Sequence, residues 1–402
     1  MIPTRTAQFS RRRWLKSAAV AGGCIWTGLD RISAAAASFA QTRDAFAGGE
    51  FLGTLPFSKE GKVPLDTVLG ENLDGRLYTD LSKLSPDAPH PTVVPTERFY
   101  IRTRASTLLK SGDLDFINLF ARGTTAPMRL SAGSLRKQAR PMGMHLLECA
   151  GNTRETRFGL ISTAEWAGVP LVDVLDRLGM ARADGRILVS GFDRYESPSA
   201  TSQPGASWVF SFEQIRTCGA FLATEMNGSV LPKDHGAPAR LVMPGWYGCT
   251  CIKWVNEIRL VGDDAEPTSQ MQEFAVRTHQ QGSPKLARDY QPAMIDLAAM
   301  PVRIEKWRVA GKIKYHLIGI LWGGSEPAQR LEIRFNPEED YVPVDNLPQT
   351  KNAPWTLWSH AWTPAAPGSY LVRLRVAEPK VRTRTRRLDT GFYVREVEVS
   401  DI

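Results

Sequence analysis

Between Gly262 and Pro292 the chain loses its hydrophobic periodicity, and the text on either side of that break follows different rules. Downstream, "VRIEKWRVAGKIKYHLIGILWGG", "RLEIRFNP", "TLWSHAWTP" and "SYLVRLRVAEP" alternate apolar and polar residues, with Gly, Pro and Asn between the runs. Alternation at period two between such turns predicts short strands with one buried face. Seven or so strands in about 110 residues predict an immunoglobulin-like β-sandwich over 293–402. Trp307, Trp322, Trp355, Trp358 and Trp362 read as its packing.

Upstream, over 50–262, strand-like runs such as "GRILVSGF" and "ARLVMPG" are mixed with helical pieces. In "AGVPLVDVLDRLGM" (Ala167 to Met180), Leu171, Val174, Leu175 and Leu178 recur at helical spacing before Gly179. The expectation is an α+β fold: a mixed domain, a linker over 263–292 rich in polar residues, then the sandwich.

Residues 1–40 are of another kind. "SRRRWLKSAAVAGG" sets Arg11 and Arg12 before a weakly apolar stretch, and small residues lead to Ala37 or Ala40. The segment resembles a twin-arginine export signal, which implies a periplasmic protein exported already folded, often around a cofactor. No run approaches the ~20 apolar residues of a membrane span. Of the formal charge of +8, residues 1–40 contribute six bases and one acid, which leaves about +3. A nucleic-acid partner loses its motive, while a local basic pocket for an anion does not. The densest basic run, "KVRTRTRR" (Lys380 to Arg387), suits a solvated strand or hairpin.

Four cysteines lie beyond that segment: Cys149, Cys218, Cys249 and Cys251. An even number in an oxidising compartment invites disulfides, but Cys249 and Cys251 are too far apart as i and i+2 of a strand to bridge each other. C-x-x-C-H appears nowhere, so electrons would leave through a partner rather than a haem held by this chain.

In "HLLECAGNTRE" (His145 to Glu155) a strand-like run delivers Cys149 into a turn where Gly151 and Asn152 tolerate positive φ. The residues alone leave packing, disulfide, nucleophile and metal ligand open. Arg154 and Arg157 nearby favour a thiolate, the soft donor that transition metals prefer. His145, on the same strand face, reads as a satisfied structural histidine.

"ECAGNTR" resembles the C-A-G-N-x-R motif of the sulfite oxidase family of molybdenum enzymes. "STAEWAGVPLVDVLDRLG", "LATEMNGSVLPKDHGAPARLVMPG" and "IKWVNEIRL" follow in that family's order. The resemblance covers roughly residues 90–400 and implies molybdopterin as cofactor, with Cys149 as the protein's ligand to the metal. It implies a substrate pocket holding Arg102 and Arg154, and pterin contacts from Tyr100, Arg102, Arg104, Asp193, His235, Arg240, Cys251 and Lys253. Among these, His235, Arg240 and Lys253 make chemical sense as a clamp for the cofactor's phosphate. The sandwich resembles the family's dimerisation domain, implying a possible homodimer, and an external cytochrome c or other carrier would take the electrons.

Departures cluster on the substrate side. The family's R-N-H reads Arg102-Thr103-Arg104, and "SQMQEFAVRTH" (Ser269 to His279) lacks the family's tyrosine. The tryptophan usually found soon after the motif is absent from "ETRFGLIS", and "PGWYG" places Tyr247 in a turn usually made of small apolar residues. The expected activity is oxidation of sulfite or a related small sulfur compound. The alternatives are reduction of a sulfoxide at the same metal, or a binding protein of the same two-domain form without the cofactor.

Overall fold

The computed structural model describes residues 45–70, 75–103, 114–177, 179, 185–192, 206–278, 280, 282–348, 354–376 and 394–402. Arg104, Asp193, the basic run at 380–387 and residues 1–40, which resemble an export signal, lie outside them.

Two sheets build the upstream domain. In the first, β6 (Arg140–Glu148), β7 (Ile161–Pro170), β10 (Phe221–Met226) and β11 (Ser229–Val230) run antiparallel in the order β11-β10-β7-β6, and β12 (Arg240–Val242) pairs with β10. In the second, β4 (Phe116–Phe120), β5 (Met128–Ser131), β8 (Arg186–Gly191), β9 (Ser207–Ser211) and β13 (Val255–Val261) lie in the order β5-β4-β13-β8-β9. A ribbon of two residues per strand, β2 (Arg76–Leu77) and β3 (Ile101–Arg102), sets Arg76 directly opposite Arg102.

Among the described residues the helices are few and short: α1 (Ala132–Lys137), α2 (Leu171–Arg177), α3 (Phe212–Cys218) and α4 (Ser269–Glu273). The helix expected from Ala167 begins four residues later, because Ala167 to Pro170 pair with β10 instead. Gly168 lies so close to Leu222 that a Cβ there would meet its carbonyl oxygen. A capping box between Ser211 and Gln214 opens α3, and Gly219 closes it at φ 70°. Among the described residues no helix is long and apolar enough to cross a membrane.

The sandwich packs two four-stranded sheets. One contains β14 (Ala298–Val309), β15 (Lys312–Trp322) and β18 (Thr356–Trp362); the other contains β16 (Leu331–Arg334), β17 (Val342–Pro343), β19 (Gly368–Val376) and β20 (Val394–Val399). The edge of the first sheet is β1 (Glu50–Leu55), which pairs antiparallel with β14. The sandwich therefore takes one strand from the segment that the sequence assigned to the upstream domain. Trp322, Trp355 and Trp358 are fully buried, as expected of packing residues.

Residues 263–292 are more than a connector. They carry α4 and a 3-10 turn at Val276–Thr278, and Gln270, Glu273, Phe274 and Arg277 line the cleft described next.

Candidate active site

β6 is exposed at its start and buried at its end, so it carries the chain from the surface into the core just before Cys149. The turn beyond is held from within. Asn152 N–H donates to the Cys149 carbonyl at 2.9 Å, and the Asn152 Oδ1 accepts from Leu160 N–H at 3.0 Å. Positive φ falls at Arg157 (52°) and Phe158 (55°), not at Gly151 or Asn152. Gly151 serves close approach instead: a Cβ there would collide with Arg277 Nη1 and stand 3.7 Å from Cys149 Sγ.

Cys149 opens onto a cleft of about 590 Å³, within the range of small-molecule and cofactor sites. Burial pushes its thiol pKa up, while the Gly151 N–H, Arg102 and Arg277 pull it down and Glu148 adds to the rise. The cations that favour the thiolate are thus Arg102 and Arg277, not Arg154 and Arg157. Gly151 N–H lies 3.4 Å from the sulfur. All four described cysteines are free, so no disulfide competes for it.

The same cleft is lined by Tyr100, Arg102, His235, Arg240, Cys251 and Lys253, six of the residues that the resemblance implies. Arg240 is only 6% exposed; it donates through Nη1 to the His235 carbonyl at 3.1 Å and through Nη2 to the Cys251 carbonyl at 3.3 Å. Lys253 Nζ donates to Thr103 Oγ1 and, at 3.1 Å, to the Asp234 carbonyl. Gly236, at φ 108°, lets these chains converge: a Cβ there would stand 2.9 Å from that of Lys253 and 3.1 Å from that of Arg240. His235, 4% exposed, has its pKa driven down to about 3 by burial and then by Arg240 and Lys253.

This end of the cleft fits an anionic group. The buried Arg240 Nε has no partner among the described residues, and two cations beside a neutral histidine suit a phosphate. The Cys149 end fits a metal that arrives already chelated. Among the described residues no three His, Cys, Asp or Glu side chains converge, so one sulfur could complete a coordination sphere but not build one.

Arg154 is not among the residues that line the cleft. Its charge acts on Glu60 and Arg395, and its carbonyl accepts Gly61 N–H at 3.1 Å. Arg277, which the sequence reading passed over, lies beside Cys149 in the very segment that lacks the family's tyrosine. Arg76 and the buried Gln270 also line the cleft and were missed. The only sequence signal for Arg277 was its position in that departing segment. His145 is satisfied on one nitrogen only: its Nε2 lies 2.9 Å from the Met142 carbonyl, its buried Nδ1 has no partner among the described residues, and burial lowers its pKa.

Comparison with known proteins places most of the cleft within a recognised domain. Residues 118–269 match the oxidoreductase molybdopterin binding domain. Mitochondrial sulfite oxidase of Macaca fascicularis is 34% identical over 142 residues, which is 32% of this chain and 26% of that protein. Nitrate reductase [NADH] 2 of Arabidopsis thaliana is 33% identical over 129 residues, 28% of this chain and 14% of that one. The sulfane dehydrogenase SoxCD of Paracoccus pantotrophus superposes with a TM-score of 0.59 at 17% identity, covering 87% of this chain and 91% of that chain, a likeness of fold. The matched region spans about a quarter of the sulfite oxidase that it resembles. Residues 118–269 thus carry an oxidoreductase molybdopterin binding domain, to which most of the cleft's residues belong. Over that region the chain is similar to members of the sulfite oxidase family.

Proposed function

We propose that this protein oxidises sulfite, or a closely related small sulfur oxyanion, in the periplasm and passes the electrons to an external cytochrome. The observation that carries this reading is the charge around Cys149. Besides Arg240 and Lys253, which the cofactor's phosphate would take, three cationic side chains, Arg76, Arg102 and Arg277, line the cleft with two carboxylates, Asp234 and Glu273.

His235, Arg240 and Lys253 would hold the cofactor's phosphate, and Cys149 would give its sulfur to the metal. The bound cofactor supplies a molybdenum centre able to accept two electrons and exchange an oxygen atom. The chain itself does the binding and orienting. Arg102, on β3, lies close enough to Cys149 to lower its pKa and would attract an oxyanion into the cleft. Oxidation of sulfite with water yields sulfate, two protons and two electrons, and the arginines favour charged reactant and product alike.

A sulfoxide reductase is the second reading, motivated by the missing tyrosine in Ser269 to His279. A neutral sulfoxide would leave the cations unused, which is why oxyanion oxidation stands first. The test is to purify the protein, measure molybdenum per chain, and assay sulfite with ferricyanide or cytochrome c. Full molybdenum without sulfite turnover, combined with oxidation of reduced viologen by sulfoxides, would reverse the order.

A further inference from the structure

We infer that Arg277, rather than the motif arginine Arg154, is the substrate-facing guanidinium of this site, and that with Arg102 and Arg76 it selects a small doubly charged oxyanion. This rests on the oxyanion reading above and adds a residue and a charge class to it.

The segment that carries Arg277 is held from both sides. The Thr268 hydroxyl caps α4 by accepting Met271 N–H at 3.2 Å, and Gln270 Nε2 donates to the Cys249 carbonyl beneath the cleft. Thr278 Oγ1 donates back to the Phe274 carbonyl at 2.9 Å and locks the turn that carries the arginine. The guanidinium then lies across Gly151, a contact that any side chain at 151 would obstruct. No described carboxylate lies within ion-pair distance of it, although Glu273 lines the same cleft. A cation that no described carboxylate pairs, beside a cofactor cleft, suits a bound anion.

Arg76 and Arg102 face each other across the β2-β3 ribbon, and both line the cleft. Both add positive charge to the wall of the cleft. Arg277 approaches from the interdomain segment. A dianion gains from each of these charges, a monoanion about half as much, and a neutral sulfoxide little.

Arg154 is committed elsewhere. Its charge acts on Glu60 and Arg395, which border a different cavity of about 400 Å³ between the N-terminal strand and the sandwich. The motif arginine is a scaffold residue here.

The experiment compares Arg277→Met, Arg277→Lys and Arg154→Met in the cofactor-loaded protein, using sulfite kinetics and, independently, sulfate binding by calorimetry. Expected is a rise of about 10- to 100-fold in both sulfite KM and sulfate Kd for Arg277→Met, the loss of one charge-assisted contact. Arg277→Lys should recover part of it, and Arg154→Met should leave both constants within about twofold. Unchanged constants in Arg277→Met would overturn the inference while leaving sulfite oxidation intact. A wild type that binds sulfate through Arg277 but does not turn over sulfite would uphold the inference and remove the proposed reaction. Should Arg154→Met fail to fold, the Met and Lys variants at 277 still decide the question.

Discussion

Trp322 Nε1 donates to Glu148 Oε2 at 2.8 Å, and both side chains are 0% exposed. Glu148 directly precedes Cys149, and its other oxygen accepts Asn152 Nδ2 at 3.3 Å, so the sandwich grips the turn that presents the candidate metal ligand. Removing the indole donor leaves a buried carboxyl oxygen without that bond, at a cost of about 1–3 kcal/mol plus the lost volume. Trp322→Phe should lower the melting temperature and reduce molybdenum retained per chain. In a Glu148→Met background the same substitution should cost less, because the acceptor of the indole N–H is already gone. Equal costs in the two backgrounds would show that the contact carries no coupling.

The buried histidine makes the cofactor-free protein acid-sensitive. His235 has a folded pKa near 3 against an ordinary value of 6.5, so the unfolded chain binds the extra proton between those values. The contribution of His235 is therefore complete above about pH 6.5 and erodes as pH falls toward 3, by at most about 1.4 kcal/mol per unit. Thermal melts of cofactor-free protein between pH 7.5 and 4.5 should steepen relative to His235→Gln, whose curve lacks this slope. Parallel curves would mean that His235 is not the group responsible.

The two ends of the cleft should fail separately. Cys149→Ser leaves Arg240, His235 and Lys253 in place, so pterin content should stay near the wild-type level while turnover falls by more than about 100-fold. Arg240→Met removes a buried cation from the phosphate end and should lower pterin content itself. Fluorescence of the oxidised pterin released from each variant, set beside its molybdenum content, distinguishes the outcomes. Loss of pterin from Cys149→Ser equal to that from Arg240→Met would contradict this division.

Much of this was legible in the chain, and the misses share a cause. The alternating runs after Met294 marked the sandwich strands, because a half-buried strand prints its two faces directly into the sequence. The strand-turn at Cys149 and the clamp at His235 and Arg240 were legible because each is local and carries a motif. β1 was misassigned since pairing between Glu50 and Arg308 spans most of the chain and leaves no local trace. The same holds for Arg277, whose position over Gly151 depends on how the interdomain segment folds back. Arg154 shows the converse: a matching motif position does not fix which way a long side chain turns when Glu60 and Arg395 lie nearby.

Arg395 and Glu60 supply the last test, because they tie the second sheet of the sandwich to the N-terminal segment behind the Cys149 turn. Arg395 Nη2 stands 3.2 Å from Glu60 Oε2, an ion pair rather than a well-aligned hydrogen bond, and the guanidinium lies 3.9 Å from the Phe57 ring centre and 5.1 Å from that of Phe158. Burial raises the Glu60 pKa even with Arg395, Arg154 and Arg157 opposing it, and burial brings Arg395 down to about 10. Arg395→Met should cost about 3–5 kcal/mol by leaving a buried carboxylate without its closest partner. The Glu60 carboxyl then moves further above its unfolded value of about 4.3, so the folded state holds the proton more tightly. Stability is retained below that unfolded value and lost as pH rises through the folded one. Urea midpoints should therefore show Arg395→Met closer to wild type at pH 5 than at pH 8, and adding Glu60→Gln should remove that pH dependence. A deficit in Arg395→Met that is the same at both values would place the cost in lost packing against Phe57 and Phe158 instead.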